Sequence, residues 1–156
     1  MNDTTANVAV PEVGYEPPSL SFGPVTRTDI VRYAGASGDF NPLHHDEHFA
    51  RSSGFPTVFS MGMLQAAILA GYATDWLGAE FIRSFKVRFK EQVWPGDVLI
   101  CSGVVTGVQP REGGVLVAVD LTCKRESANI AIAGSAEFFL PSEQIDAGTT
   151  SNPSLK

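Results

Sequence analysis

Cysteine, basic charge and unbroken apolar runs are all scarce in this sequence. Its two cysteines, Cys101 and Cys123, stand far apart along the chain and form no Cys-x-x-Cys pair. They are expected as buried free thiols, because free cysteine packs as a small hydrophobe, and they suit a reducing, cytosolic compartment. Lys and Arg number 11 against 17 Asp and Glu, a formal charge of −6. With no basic run, the chain gains little from a polyanion such as DNA, whose binding needs Lys and Arg facing phosphates. The N-terminus has neither the basic start nor the apolar core of a signal peptide. From Phe55 to Thr74 no side chain is charged, but Pro56, Thr57, Ser60, Gly62, Gln65 and Gly71 break the stretch. A membrane span of about 20 residues is more uniformly apolar, so this segment reads as a helix buried inside a soluble fold. Charged residues make up 18% of the chain, below the usual share of roughly a quarter. That points to much buried surface, with room for a subunit interface.

What is present suits one domain with a single core. Residues 1–18 are polar, then rich in proline, and read as a loose arm. Residues 141–156 hold almost no apolar side chain and read as a disordered tail. The folded body is then 19–140. A helix is expected from Thr26 or Thr28, where Thr26 and Asp29 resemble a capping box. Ile30, Val31, Tyr33 and Ala34 form its apolar face, and Gly35 and Gly38 end it. A loop follows at Asp39–His44, since Pro42 cannot donate to a ladder and biases Asn41 to extended backbone. A short helix over Glu47–Arg51 is closed by Gly54. The uncharged helix spans about Met61–Leu77, with small residues on more than one face, so it is expected to be wrapped. Phe81–Lys90 alternates Phe85, Val87 and Phe89 with Lys86, Arg88 and Lys90. After the Trp94–Asp97 turn, Val98–Val108, Val115–Lys124 and Ile130–Phe139 read as further strands joined by hairpins. The expectation is an α+β fold: helices on one face of a four-stranded antiparallel meander.

Asp39, His44, His45, Asp46 and His48 fall within ten positions. A carboxylate and an imidazole on a Pro-stiffened loop can converge on one small volume and handle a water and a proton. Asn41 between them can fix the loop by hydrogen bonds. A metal reading would use His44 and His48 at helical spacing with Asp39 or Asp46, but lacks the Glu of a His-Glu-x-x-His pattern. A solvated loop is the third reading. It suits His45 and His48, and makes Asp46 a helix N-cap.

The run from Tyr33 to His44, with Gly38-Asp39-Phe40-Asn41-Pro42-Leu43-His44 at its centre, followed by Phe49-Ala50, resembles the signature of the MaoC-like, or (R)-specific enoyl-thioester hydratase, family. The likeness extends over most of residues 22–139. It implies a hot-dog fold, in which an antiparallel sheet wraps a long helix, commonly paired with a second such fold. It implies Asp39 and His44 as a catalytic pair that holds a water, with Asp39 as base. It implies that Gly62, in Met61-Gly62-Met63, donates its backbone N–H to the thioester oxygen of a trans-2-enoyl substrate. Asn41, Met61 and Met63 are then expected at the substrate. Met61 stands where relatives commonly carry His, and Ala70 where some carry Ser; both departures bear on the surroundings of the pair rather than on the pair itself. No metal and no cofactor are implied beyond coenzyme A or an acyl carrier protein as the substrate's carrier.

Lys86 and Arg88, with Arg83 and Lys90, are the one basic cluster in an acidic chain. They read either as a solvated strand face or as a rim that meets the carrier's phosphates or acidic surface. Besides the hydro-lyase expectation, two rivals remain: a hot-dog acyl thioesterase, and a non-catalytic subunit of a heteromeric dehydratase. Retention of both Asp39 and His44 argues against the non-catalytic role, while the segment Tyr72–Gly78 resembles the actinobacterial type of these dehydratases, some of which work as heteromers. A homodimer or a heteromer in the cytoplasm is expected.

Overall fold

The computed structural model describes residues 9–126 and 129–145. Residues 1–8, 127–128 and 146–156, which include part of the expected arm and most of the expected tail, lie outside the described residues.

The first helix, α1 (Arg27–Ser37), starts at the expected capping box. Thr26 Oγ1 accepts from Asp29 N at 3.1 Å and Asp29 Oδ2 accepts from Thr26 N at 2.8 Å. Reciprocal satisfaction of two orphan donors makes this a strong start signal. Gly35 sits inside the helix; Gly38 ends it with φ 74°, its N–H donating to Ala34 O, a conformation that favours glycine. Helix α2 (Glu47–Ser52) is capped by Asp46, which accepts from Phe49 N at 3.0 Å. Helix α3 (Gly62–Leu77) buries Gln65, Ala66, Leu69, Tyr72, Ala73 and Leu77. That stripe packs on four strands. Ala67 is exposed, and Ala70, Gly71 and Thr74 are only half-buried, so within one chain the sheet covers one face of the helix rather than several.

Five strands form one antiparallel sheet: β1 (Leu20–Phe22), β2 (Ile82–Phe89), β3 (Leu99–Arg111), β4 (Gly114–Arg125) and β5 (Ile130–Pro141). Their order is β1-β3-β4-β5-β2. The expected four-strand meander is therefore corrected. Strands β3, β4 and β5 are consecutive neighbours, but β2 pairs with β5, Phe85 opposite Ala136 and Phe89 opposite Ile132. The segment between β2 and β3 carries the chain from one side of the sheet toward the other. Periodicity reports which face a residue takes and not which strand lies beside it. The added edge strand β1 has only three residues, two of them exposed, too few for an alternating signal.

The arm is held from its described start. Gly14 N donates to Val105 O at 2.8 Å and Val105 N to Tyr15 O at 3.0 Å, and the Tyr15 ring lies 6.0 Å from that of Trp76. Beyond β1 the edge of β3 still offers an N–H and a carbonyl, and residues 14 and 15 satisfy them. At the other end, β5 runs to Pro141 and Ile145 packs on the core, so residues 141–145 are also ordered. Cys101 and Cys123 are free and fully buried. Far apart in sequence, they stand directly opposite each other on β3 and β4. The hydrogen bond with Cys123, together with burial, pushes the Cys101 thiol above its ordinary value, which suits an inert core pair.

Candidate active site

The loop after α1 folds by short-range hydrogen bonds. Ser37 Oγ donates to Tyr33 O at 2.7 Å and accepts from Asp39 N at 3.3 Å. Asp39 Oδ1 accepts from Asn41 N at 3.3 Å, and Asn41 Oδ1 from Leu43 N at 3.1 Å. The bonds that Ser37, Asp39 and Asn41 accept are each a side chain reaching the backbone two residues on, the habit that makes these residue types turn formers. Pro42 opens a single 3₁₀ turn to His44. The His45 Nε2 meets Phe40 O at 3.1 Å, and His48 is exposed.

His44 alone turns inward, to 8% exposure. Its Nδ1 lies 2.7 Å from Phe59 O. A carbonyl can only accept, so Nδ1 carries the proton, and in the neutral ring Nε2 is left as an acceptor. Phe59 N in turn donates to Leu43 O at 3.3 Å, and the Phe59 ring stands edge-on to the imidazole at 5.2 Å. Phe55 and Trp94 pack on the Phe59 ring. The imidazole is thus fixed from behind, and its Nε2 faces Asp39 Oδ2 at 3.8 Å. That is beyond direct hydrogen-bond reach. Two acceptors so spaced suit one bridging molecule that donates to both.

Asp39 and His44 open on a cavity of about 460 Å³, walled by residues 59–63 on one side and 89–93 on the other. Gly62 lies in the first wall as the first residue of α3, where a backbone N–H has no partner within the helix. The Phe89 ring lies against it: a Cβ at position 62 would sit 2.8 Å from that ring, so any other residue there would push the ring from the wall. The second wall is tied down by Arg125. Its Nε lies 3.0 Å from Asp97 Oδ2, which accepts from Trp94 N at 2.8 Å. Val93 O accepts from Ser60 N at 2.8 Å, joining the two walls.

Behind the loop, Glu47 joins three segments. It pairs with Arg27 of α1 at 2.8 Å and Arg51 of α2 at 2.9 Å, and accepts from Thr57 Oγ1 at 2.9 Å. The hydrogen bonds from Arg27, Thr57 and Arg51 hold its carboxyl down to about 2.

Of the residues expected at the site, Asp39, His44, Met61, Gly62 and Met63 line this same cavity. Asn41 is exposed and its side chain holds the loop. Lys86 and Arg88 are not brought to the cavity. They line a depression on the outer face of the sheet with Asp120, Thr122 and Ser135, while Phe85 and Val87, which alternate with them, pack on the core. Lys90, at the end of β2, borders both. Among the described residues no group of three or more His, Cys, Asp or Glu side chains is placed to hold a metal ion, and no helix is long and apolar enough to cross a membrane. Sequence reasoning missed Phe59, Ser60, Gln65 and Phe89. Gln65 carried a usable signal: it is a polar residue in register with Leu69 and Ala73 on the stripe the helix buries.

Comparison with known proteins gives a consistent picture. The model of the MaoC like domain family matches residues 12–126. An (R)-specific enoyl-CoA hydratase of Rhodospirillum rubrum is 29% identical over 120 residues, covering 75% of this chain and 81% of that one. A mitochondrial 3-hydroxyacyl-[acyl-carrier-protein] dehydratase of Arabidopsis thaliana is 32% identical over 117 residues, covering 72% of this chain and 69% of that one. Among solved structures, a chain of the ChsH1-ChsH2 complex from Mycobacterium tuberculosis superposes with a TM-score of 0.73 at 26% identity, covering 84% of this chain and 99% of that one.

Proposed function

The chain belongs to the MaoC-like family and has its hot-dog fold, and from that membership and the geometry of the cavity we propose that it is a hydro-lyase acting on acyl thioesters. It adds water reversibly to a trans-2-enoyl thioester to give the (R)-3-hydroxyacyl thioester. The observation that carries this is the Asp39–His44 pair: two acceptors 3.8 Å apart, one of them oriented by Phe59 O, in the same cavity as Gly62. A water donating one hydrogen to Asp39 and one to His44 Nε2 has its oxygen lone pair free to attack. As that oxygen bonds to C3, the C2=C3 electron pair moves toward the thioester oxygen. Asp39 takes a water proton, which is delivered to C2 as the enolate collapses, so atoms and charge balance. Negative charge develops on the thioester oxygen, and the Gly62 N–H at the start of α3 is suited to receive it. The carrier is coenzyme A or acyl carrier protein, and the step needs no further cofactor.

A second hot-dog subunit, of the same or a related chain, completes the assembly in our reading, in the cytoplasm. Its support is the apolar rim of the cavity. Met63 and Phe89, which line it, are 56% and 51% exposed, and Phe40, next to Asp39 in the chain, is 65% exposed, more exposed apolar surface than a lone water-facing mouth explains. The similar chain from Mycobacterium tuberculosis was itself crystallised within a complex, that of ChsH1 with ChsH2.

The test is the loss of conjugated enoyl absorbance when purified protein meets crotonyl and longer enoyl thioesters. It should be abolished in Asp39→Asn and in His44→Ala. No hydration at any chain length, alone or with a partner subunit, would overturn the proposal; release of free thiol without hydration would make the chain a thioesterase.

A further inference from the structure

The start of α3 lacks an ordinary cap. Its N-cap residue, Met61, makes no side-chain hydrogen bond to the first turn. The first-turn N–H groups therefore have no side-chain acceptor from the cap, while the carbonyls of that turn meet a buried side chain of the helix itself. Gln65 is 2% exposed. With its amide nitrogen toward the helix start, it donates to the carbonyls of Met61 and Gly62, the second at 3.1 Å, and its oxygen accepts from Ser60 Oγ at 2.7 Å. Ser60 is likewise buried, 3% exposed. The two carbonyls can only accept, so they require the amide nitrogen, and the Ser60 hydroxyl, which can donate or accept, then donates to the amide oxygen and holds it in that sense. Gln65 borders the cavity, but both of its amide hydrogens are taken, so it has no donor left for a substrate.

The bond to Met61 O has a consequence for chemistry. That carbonyl and the Gly62 N–H belong to one planar peptide, and in a trans peptide they point in opposite directions. The carbonyl already accepts from Leu64 N at 3.0 Å, and a second donor, from Gln65, restricts the tilt of the peptide further and with it the aim of the N–H. It also polarises the peptide, which strengthens the N–H as a donor. We propose that Gln65, oriented by Ser60, is a positioning residue that aims and strengthens the Gly62 N–H toward the thioester oxygen. This rests on the hydration proposal and adds to it a residue that acts through the backbone.

A purely structural role for Gln65 would alter stability and leave the substrate's electronic state alone, so the test reads that state. In Asp39→Asn, which cannot activate water, a bound hexadienoyl-coenzyme A should show its absorbance shifted to the red, because a donor at the thioester oxygen polarises the conjugated system. In Asp39→Asn/Gln65→Met, with a side chain of similar volume, the ligand should still bind but with less than about half that shift, as expected when a preorganised donor loses its aim. Asp39→Asn/Ser60→Ala, a smaller change, should lose part of it. In the otherwise native enzyme, Gln65→Met should lower kcat about tenfold with KM within about twofold, the mark of an interaction made in the transition state. Gln65→Glu, which turns an acceptor toward the carbonyls, should fall further. A full red shift retained in either double variant overturns the proposal. Bound ligand with no shift in Asp39→Asn itself instead refutes the Gly62 donor, and with it the hydration reading.

Discussion

Asp39 and His44 come from one short turn but are held in different ways. Asp39 is fixed only by its own loop, through the Asn41 and Ser37 bonds, and its side chain is 46% exposed. His44 is buried and fixed by a residue fifteen positions away. Asp39→Asn is therefore expected to leave the fold intact and to lower kcat by about 10²–10⁴, the usual worth of a positioned acid or base, with KM little changed. His44→Ala should cost stability as well, because it leaves Phe59 O without its donor and opens a gap against the Phe59 ring. Paired melting curves and steady-state kinetics separate the two. The pair was legible in the sequence because its members are five residues apart on a stiffened loop. Gly62, with Met61 and Met63, was expected from the family resemblance and lines the same cavity, but Phe59, Gly62's neighbour Phe89 and the Arg125 tie were not legible: they arrive from distant segments, and only the fold makes them adjacent.

At the scale of elements, β2 has two faces with separate duties. Phe85 and Val87 pack toward α3, while Lys86 and Arg88 face outward, on the side of the sheet away from Asp39. Alternation along the strand revealed the two faces but could not reveal which one served the cavity. Lys90, where the strand ends, is the cation at the cavity wall. Lys90→Ala is expected to raise KM for a coenzyme A thioester several-fold with kcat nearly unchanged, an effect that weakens with salt. Lys86→Ala/Arg88→Ala should change KM less; equal or larger effects would place the carrier on the outer face. The helices around the loop carry a second expectation. Glu47's carboxyl is lowered from an ordinary value of 4.5 to about 2 by Arg27, Thr57 and Arg51. A depressed carboxyl contributes stability that is complete above its unfolded pKa and is lost as pH falls through its folded one. Glu47→Gln should therefore melt slightly below the parent at neutral pH, and the gap should close between pH 4.5 and about 2. The capping box at Thr26 and the Asp46 cap were legible because they are local patterns. The Glu47 junction was not, since its partners span three segments.

Across the whole molecule, the same features that build the site leave apolar surface uncovered beside it in one chain. The sheet covers one face of α3, leaving Ala67 exposed and Ala70, Gly71 and Thr74 half-covered. The strand that bears Phe89 lies at the edge of the sheet, and an uncovered edge is a template for another chain. Of the exposed apolar residues, Met63 of α3 and Phe89 of β2 line the cavity, and Phe40 belongs to the loop that carries Asp39. The low charge content was a sequence-level hint of covered surface, but which surface only emerges once the loop, the helix start and the edge strand are placed together. A second subunit seated on this rim would narrow the mouth and shield the cavity from water, which strengthens every electrostatic interaction inside it. Phe40 is the cleanest probe, because it is exposed and its side chain does not line the cavity. Phe40→Asp should place a desolvated charge in the interface. The expected outcome is a shift from dimer toward monomer in light scattering at micromolar protein, with specific activity that falls on dilution and recovers as the variant is concentrated. A variant that stays associated and fully active at every concentration would move the interface away from this rim.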